Sequence, residues 1–174
     1  ASGKSAWAES LAMALGGRKC YIATMEPFGE EAEIRIQHHR NARREKGFQT
    51  AEIYTGMAHS VGTLCCDTAL LECMTNWMAN EMYSPSGAGK DALGAVKKGI
   101  DALCAAVSNL VVVSGDLFCE GLDYGPYTGE YLENLAEVSR CLSARADLVV
   151  ELCCGIPIVH RHNDVGRAWL EKMA

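Results

Sequence analysis

Apolar residues in this chain fall into short unbroken runs separated by longer stretches of helical spacing. The runs are "KCYIAT" (19–24), "TAEIY" (50–54), "TALLEC" (68–73), "NLVVVSG" (109–115) and "DLVVEL" (147–152). Each has the length and the β-rich or continuously apolar character of a strand. Helices are predicted over 4–15, about 30–46, 75–83, 90–107, 129–145 and 163–173. Strands that are apolar throughout, rather than alternating, are covered on both faces. The pattern therefore predicts an α/β fold, a mostly parallel sheet with helices on both faces. Strand-forming residues return after Gly155 in "IPIVH", which predicts a final hairpin strand, and "SPSGAGKDA" (84–92) reads as a loop. No repeat or long linker divides the 174 residues, so a single domain over 1–174 is expected.

Composition narrows the function classes. Apolar content of 49% with 22% charged residues is ordinary for a globular protein. A net charge of −6 argues against the broad basic surface of a nucleic-acid binder. No apolar run approaches the roughly 18 residues of a membrane span, and the first residues lack the layout of a signal peptide. The nine cysteines are odd in number and none forms C-x-x-C, so neither a zinc site nor a disulfide framework is suggested. Most lie in apolar runs such as "LLECM" and "VVELCCGI", where a thiol acts as a small buried hydrophobe. A reduced, cytoplasmic protein is the expectation.

Ser2-Gly3-Lys4-Ser5 opens the first predicted helix and matches the end of the phosphate-binding loop G-x-x-x-x-G-K-[ST]. In such a loop, backbone N–H groups and the helix N-terminus hold phosphate oxygens. The lysine neutralises them, and the hydroxyl ligates Mg²⁺. The competing reading is a chance triplet at a helix start; the α/β alternation behind it favours the loop. The pattern's first glycine would precede Ala1, so an apolar first strand and the front of the loop are expected outside residues 1–174. Gly89-Lys90-Asp91 has no Ser/Thr and no strand before it, and is excluded.

Two further groups carry chemistry. "EIRIQHHRNARREKG" (33–47) places His38 and His39 among Arg35, Arg40, Arg43, Arg44 and Lys46. Such cations suit a polyphosphate substrate, and an imidazole with a pKa near ~6.5 can act as acid, base or nucleophile. By itself, however, the segment is better read as a solvated amphipathic helix with incidental histidines. Glu72 ends the run "ALLE", and Asp116 closely follows "VVVSG". An acid at the C-terminal end of a buried parallel strand faces the ligand crevice of these sheets and can hold Mg²⁺. Either could instead cap the next helix. Glu72 is the stronger candidate because it terminates its strand directly.

The sequence resembles the adenosylcobinamide kinase / adenosylcobinamide-phosphate guanylyltransferase family, the bifunctional enzymes of cobalamin nucleotide-loop assembly. The residues that carry the resemblance are S-G-K-S (2–5), "YIAT" (21–24), "RIQHHR" (35–40), "TAE" (50–52), "LLECMTNWMAN" (70–80), "ARAD" (144–147) and "GIPI" (155–158). They run in family order over nearly the whole chain. The resemblance implies a P-loop α/β sheet, assembly as a homotrimer, and His38 as the residue that accepts GMP covalently. It implies phosphorylation of adenosylcobinamide with ATP or GTP, then GMP transfer from GTP to adenosylcobinamide phosphate. Ser2, Gly3, Lys4, Ser5, Arg35 and Glu72 would bind nucleotide, with Mg²⁺ held by Ser5 and Glu72. The family's T/S-N-E-V-G stretch here reads Ser114-Gly115-Asp116-Leu117-Phe118. In the following helix Gly129 and Leu132 stand at the family's two arginines, and Ser139-Arg140 at its Asn-Gln. A simple P-loop kinase without guanylyl transfer, or a non-catalytic nucleotide-binding regulator, are the alternatives.

Overall fold

The computed structural model describes residues 2–27, 45–118 and 125–173. Helix α1 (Lys4–Leu15) leads into β1 (Lys19–Ala23), and β2 (Phe48–Glu52) is followed by the short helix α2 (Met57–Ser60). Strand β3 (Thr68–Glu72) runs into α3 (Met74–Tyr83), then α4 (Ala92–Ala106), β4 (Asn109–Val113) and α5 (Gly125–Arg145). The hairpin β5 (Leu148–Cys153) and β6 (Ile156–His162) precedes α6 (Asp164–Met173). Four strands form an all-parallel sheet in the order β2–β1–β3–β4. The predicted strand over 50–54 is shifted to Phe48–Glu52, because Ile53 leaves the sheet after a last backbone bond to Ala23 O. Residues 89–91 form a single 3-10 turn into α4, in keeping with their exclusion as a phosphate loop.

The two-residue period of the strands divides the core. Cys20, Ile22, Ala69 and Leu71 face one side, where they meet Met57, Met74, Trp77, Val96, Leu103 and Leu135 from α2 to α5. Tyr21, Phe48, Leu70 and Val113 face the other side and pack on Ala8 and Ala12 of α1. In α4, Ala92, Val96, Ile100 and Leu103 recur at helical spacing and are buried. Helices on both faces explain why these strands are apolar throughout.

The run at 147–152 behaves differently from its neighbours. Among the described residues β5 pairs only with β6, antiparallel, and does not join the parallel sheet. A groove of 580 Å³ lies between β4 and β5, lined by Leu110, Val112, Val150, Trp7, Leu11 and Trp169 and reaching Lys4. It runs along the edge of β4 that β3 does not occupy.

Candidate functional site

Helix α1 runs antiparallel to β3. Thr68 Oγ1 donates to Gly16 O (2.9 Å) at the start of that strand, and the Ser5 hydroxyl donates to Glu72 Oε1 at its end. The N-terminus of α1 therefore stands at the C-terminal edge of the sheet, where strand ends open toward a ligand. Residues 4 and 5 open the helix directly after Gly3, which is left-handed at φ 90°. A Cβ on Gly3 would stand 3.2 Å from Gly155 Cα, and Gly155 N donates to Ser2 O at 2.9 Å. The turn of the β5–β6 hairpin thus rests on the segment before α1. Close approach and positive φ both call for glycine there. Lys4 Nζ donates to Ser2 Oγ (2.9 Å).

Glu72 is held on both carboxylate oxygens. Strand alternation puts Tyr21 and Glu72 on the α1 face, and the register sets Ala23 beside Glu72, so Tyr21 lies two residues back on the neighbouring strand. Its hydroxyl spans that gap and donates to Glu72 Oε2 at 2.8 Å. The ring meets Phe48 edge-on, with centroids 6.5 Å apart. The fully buried Thr24 fixes the backbone beside it. Its N–H donates to Glu72 O (3.1 Å), while its Oγ1 donates to Cys73 O (2.8 Å) and accepts from Cys73 N (2.7 Å). Capping of α3 is not the role of Glu72: Cys73 is the N-cap residue, and the carboxylate points to Ser5 and Tyr21.

The neighbouring strand ends are tied to α3. Asn80 Nδ2 donates to Thr24 O (2.7 Å) after β1 and to Tyr54 O (3.1 Å) after β2. Buried Glu81 accepts from Trp77 Nε1 (3.1 Å), Gly56 N (2.8 Å) and Ala88 N (3.1 Å), so both its carboxyl oxygens are engaged. Asp116 is exposed, three residues beyond the end of β4, and its Oδ1 accepts from Phe118 N (3.2 Å). In α5, Arg140 is turned to Glu137 (2.6 Å) and Ser139 Oγ to Leu135 O (2.8 Å).

His38 and Arg35 lie outside the described residues, as do His39, Arg40, Arg43 and Arg44. Lys46, the last cation of that basic segment, is described, and its Nζ pairs with Glu9 of α1. Among the described residues no group of three or more His, Cys, Asp or Glu is assembled for a metal ion. Ser5 and Glu72 offer a hydroxyl and a carboxylate side by side. That hard, sparse oxygen set suits Mg²⁺, which usually takes one or two protein ligands and completes its shell with phosphates and water.

Residues 1–160 match the family model for CobU, cobinamide kinase / cobinamide phosphate guanyltransferase. The chain belongs to this family. No curated protein matches it. Membership brings cobinamide kinase and guanylyltransferase chemistry of cobalamin biosynthesis, with corrinoid and nucleotide substrates. No helix among the described residues is long and apolar enough to cross a membrane.

Sequence reasoning brought out Ser5 and Glu72 but missed Tyr21, Thr24 and Asn80 as groups that organise this edge. For Tyr21 a signal existed. In "CYIA" it alternates with Cys20 and Ile22, so it must face the opposite side of the sheet, the one that carries α1. Thr24 and Asn80 fall within "YIAT" and "LLECMTNWMAN", but nothing local reveals their partners, backbone groups 49 and 56 residues away.

Proposed function

We propose that the N-terminus of α1 binds the phosphates of ATP or GTP through Ser2, Gly3, Lys4 and Ser5, and that the chain catalyses both family reactions. In the first, the aminopropanol hydroxyl of adenosylcobinamide attacks the γ-phosphorus. The nucleoside diphosphate leaves and the hydroxyl proton passes to water. Lys4, in the first turn of α1 with its Nζ beside Ser2, neutralises the phosphates. Ser5 and Glu72 would hold Mg²⁺, which when bound would neutralise charge on the transferring group. In the second reaction an imidazole nitrogen of His38 attacks the α-phosphorus of GTP, pyrophosphate leaves, and a phosphoramidate forms. An oxygen of adenosylcobinamide phosphate then attacks that phosphorus, freeing His38 and giving adenosylcobinamide-GDP. Arg35 steadies the phosphates in this step.

The observation that carries this reading is the meeting of Ser5 with Glu72, 67 residues apart, at the carboxyl end of the sheet. A chance G-K-S triplet has no reason to end beside a strand-terminal carboxylate. The groove between β4 and β5 supports the further expectation of an apolar strand ahead of Ala1. A strand inserted there would lie parallel to β4 and lead directly to Gly3, joining β5 to the sheet. The upstream coding sequence tests this: a stop codon, or no glycine five positions before Gly3, would remove the P-loop assignment. Homotrimeric assembly and a cytoplasmic location belong to the same reading, and light scattering reads the first.

The decisive experiment uses α-labelled GTP with Mg²⁺. Wild type and His39→Asn should take up acid-labile label, whereas His38→Asn should not, while keeping kinase turnover. Label that survives in His38→Asn rejects the histidine assignment. Absence of label in the wild type, with kinase activity intact, favours the kinase-only alternative. The departures at Gly129 and Leu132 give that alternative its specific support, since they remove two cations the family pattern carries.

A further inference from the structure

We infer that Tyr21 is a positioning residue for the cation site: its hydroxyl fixes one oxygen of Glu72 so that carboxylate and Ser5 hydroxyl together receive a divalent cation. This rests on the reading of Ser5 and Glu72 given above. A glutamate at a strand end has three rotatable bonds, and Ser5, itself exposed, restrains only Oε1. Tyr21 restrains the other oxygen at 2.8 Å from a ring that is only 8% exposed and packed edge-on against Phe48. A phenol so held has little freedom, so the carboxylate inherits its orientation from the sheet rather than from solvent. Partners in this outer position usually matter nearly as much as the ligands themselves. Thr24 anchors the backbone of Glu72 and of Cys73 after it, which leaves the side-chain torsions of Glu72 as the freedom that Tyr21 removes.

The bland alternative is that Glu72 merely satisfies a buried phenol. Cation binding separates the two. Mn²⁺ titrations of the full chain, followed by electron paramagnetic resonance with a non-hydrolysable GTP analogue present, should show Tyr21→Phe binding Mn²⁺ about tenfold or more weakly. The same variant should bind the analogue in EDTA as the wild type does. In a Glu72→Gln background, Tyr21→Phe should cause no further loss, because it acts only through that carboxylate. Phe48→Leu, which alters the ring's packing and keeps the hydroxyl, should retain Mn²⁺ binding and so exposes any effect of simple core damage. Wild-type Mn²⁺ affinity in Tyr21→Phe, alongside a loss in Glu72→Gln, overturns the role of Tyr21 and leaves the site standing. Unchanged affinity in Glu72→Gln overturns the site itself, and the inference with it.

Discussion

Strands β3 and β6 are both expected from apolar residues, and they live in different surroundings. Of β3, Thr68, Ala69, Leu70 and Leu71 are all buried, whereas every residue of β6 is exposed, with Ile156 at 66% and Ile158 at 43%. The difference is one of neighbours. Strand β3 has a partner on each edge and helices on each face, while β6 pairs along one edge with β5. Apolar residues say that a strand will form; only the layers built around it decide whether it becomes core. The same contrast bears on the candidate site, since Glu72 owes its fixed place to the well-packed strand it terminates.

The largest effect should come from the side of the sheet that packs best. Trp77 is fully buried, bonded to Glu81, and its ring lies against Gly99. Trp77→Ala should cost about 3–5 kcal/mol in urea unfolding. A loss below about 1 kcal/mol would mean that this face is far less consolidated than its burial implies.

Alkaline pH probes the same core by titration. Burial, followed by the neighbouring Cys66, pushes the Cys20 thiol from 9.0 up to about 12. Because the folded value lies above the unfolded one, its contribution is fully present below about pH 9 and is lost as pH rises toward 12. The urea midpoint should therefore fall over that window, and less steeply in Cys20→Ala. Equal slopes in both proteins would assign the alkaline loss to other groups, such as Tyr131, which burial also raises to about 12.

A smaller effect is expected where the two regions touch. Gly3→Ala places a Cβ at φ 90° and 3.2 Å from Gly155 Cα. The left-handed strain alone should cost about 1–2 kcal/mol. Nucleotide affinity should fall with it, since the strained residue adjoins Lys4. Unaltered stability and unaltered nucleotide binding would show that neither the hairpin contact nor the left-handed backbone matters to the loop. The smallest effect is reserved for β6: Ile158→Thr should stay within about 0.5 kcal/mol, as surface substitutions do. A loss of several kcal/mol there would reveal that something covers this strand in solution.

Much of the fold was legible because period and length are local properties. The helices at 4–15, 90–107 and 163–173 and the strands at 19–24 and 68–73 lie within one or two residues of α1, α4, α6, β1 and β3. Boundaries that moved did so for non-local reasons. The strand predicted at 50–54 begins at Phe48 because its register is set by pairing with β1. The strand at 147–152 is present, and among the described residues it pairs only with β6, a matter of edge pairing that no residue in "DLVVEL" encodes.

By itself the sequence determined the α/β alternation, the G-K-S opening of α1, the acid that terminates β3 and the family to which the chain belongs. Each is written in residues close together or in short motifs. Only the tertiary structure decided that Ser5 meets Glu72, that Tyr21 takes the second oxygen, and that the hairpin turn rests on Gly3. Those contacts join residues 51 to 152 positions apart, and they depend on strand order, register and the direction of α1 across the sheet. Such quantities arise from how whole faces pack. No local pattern carries them.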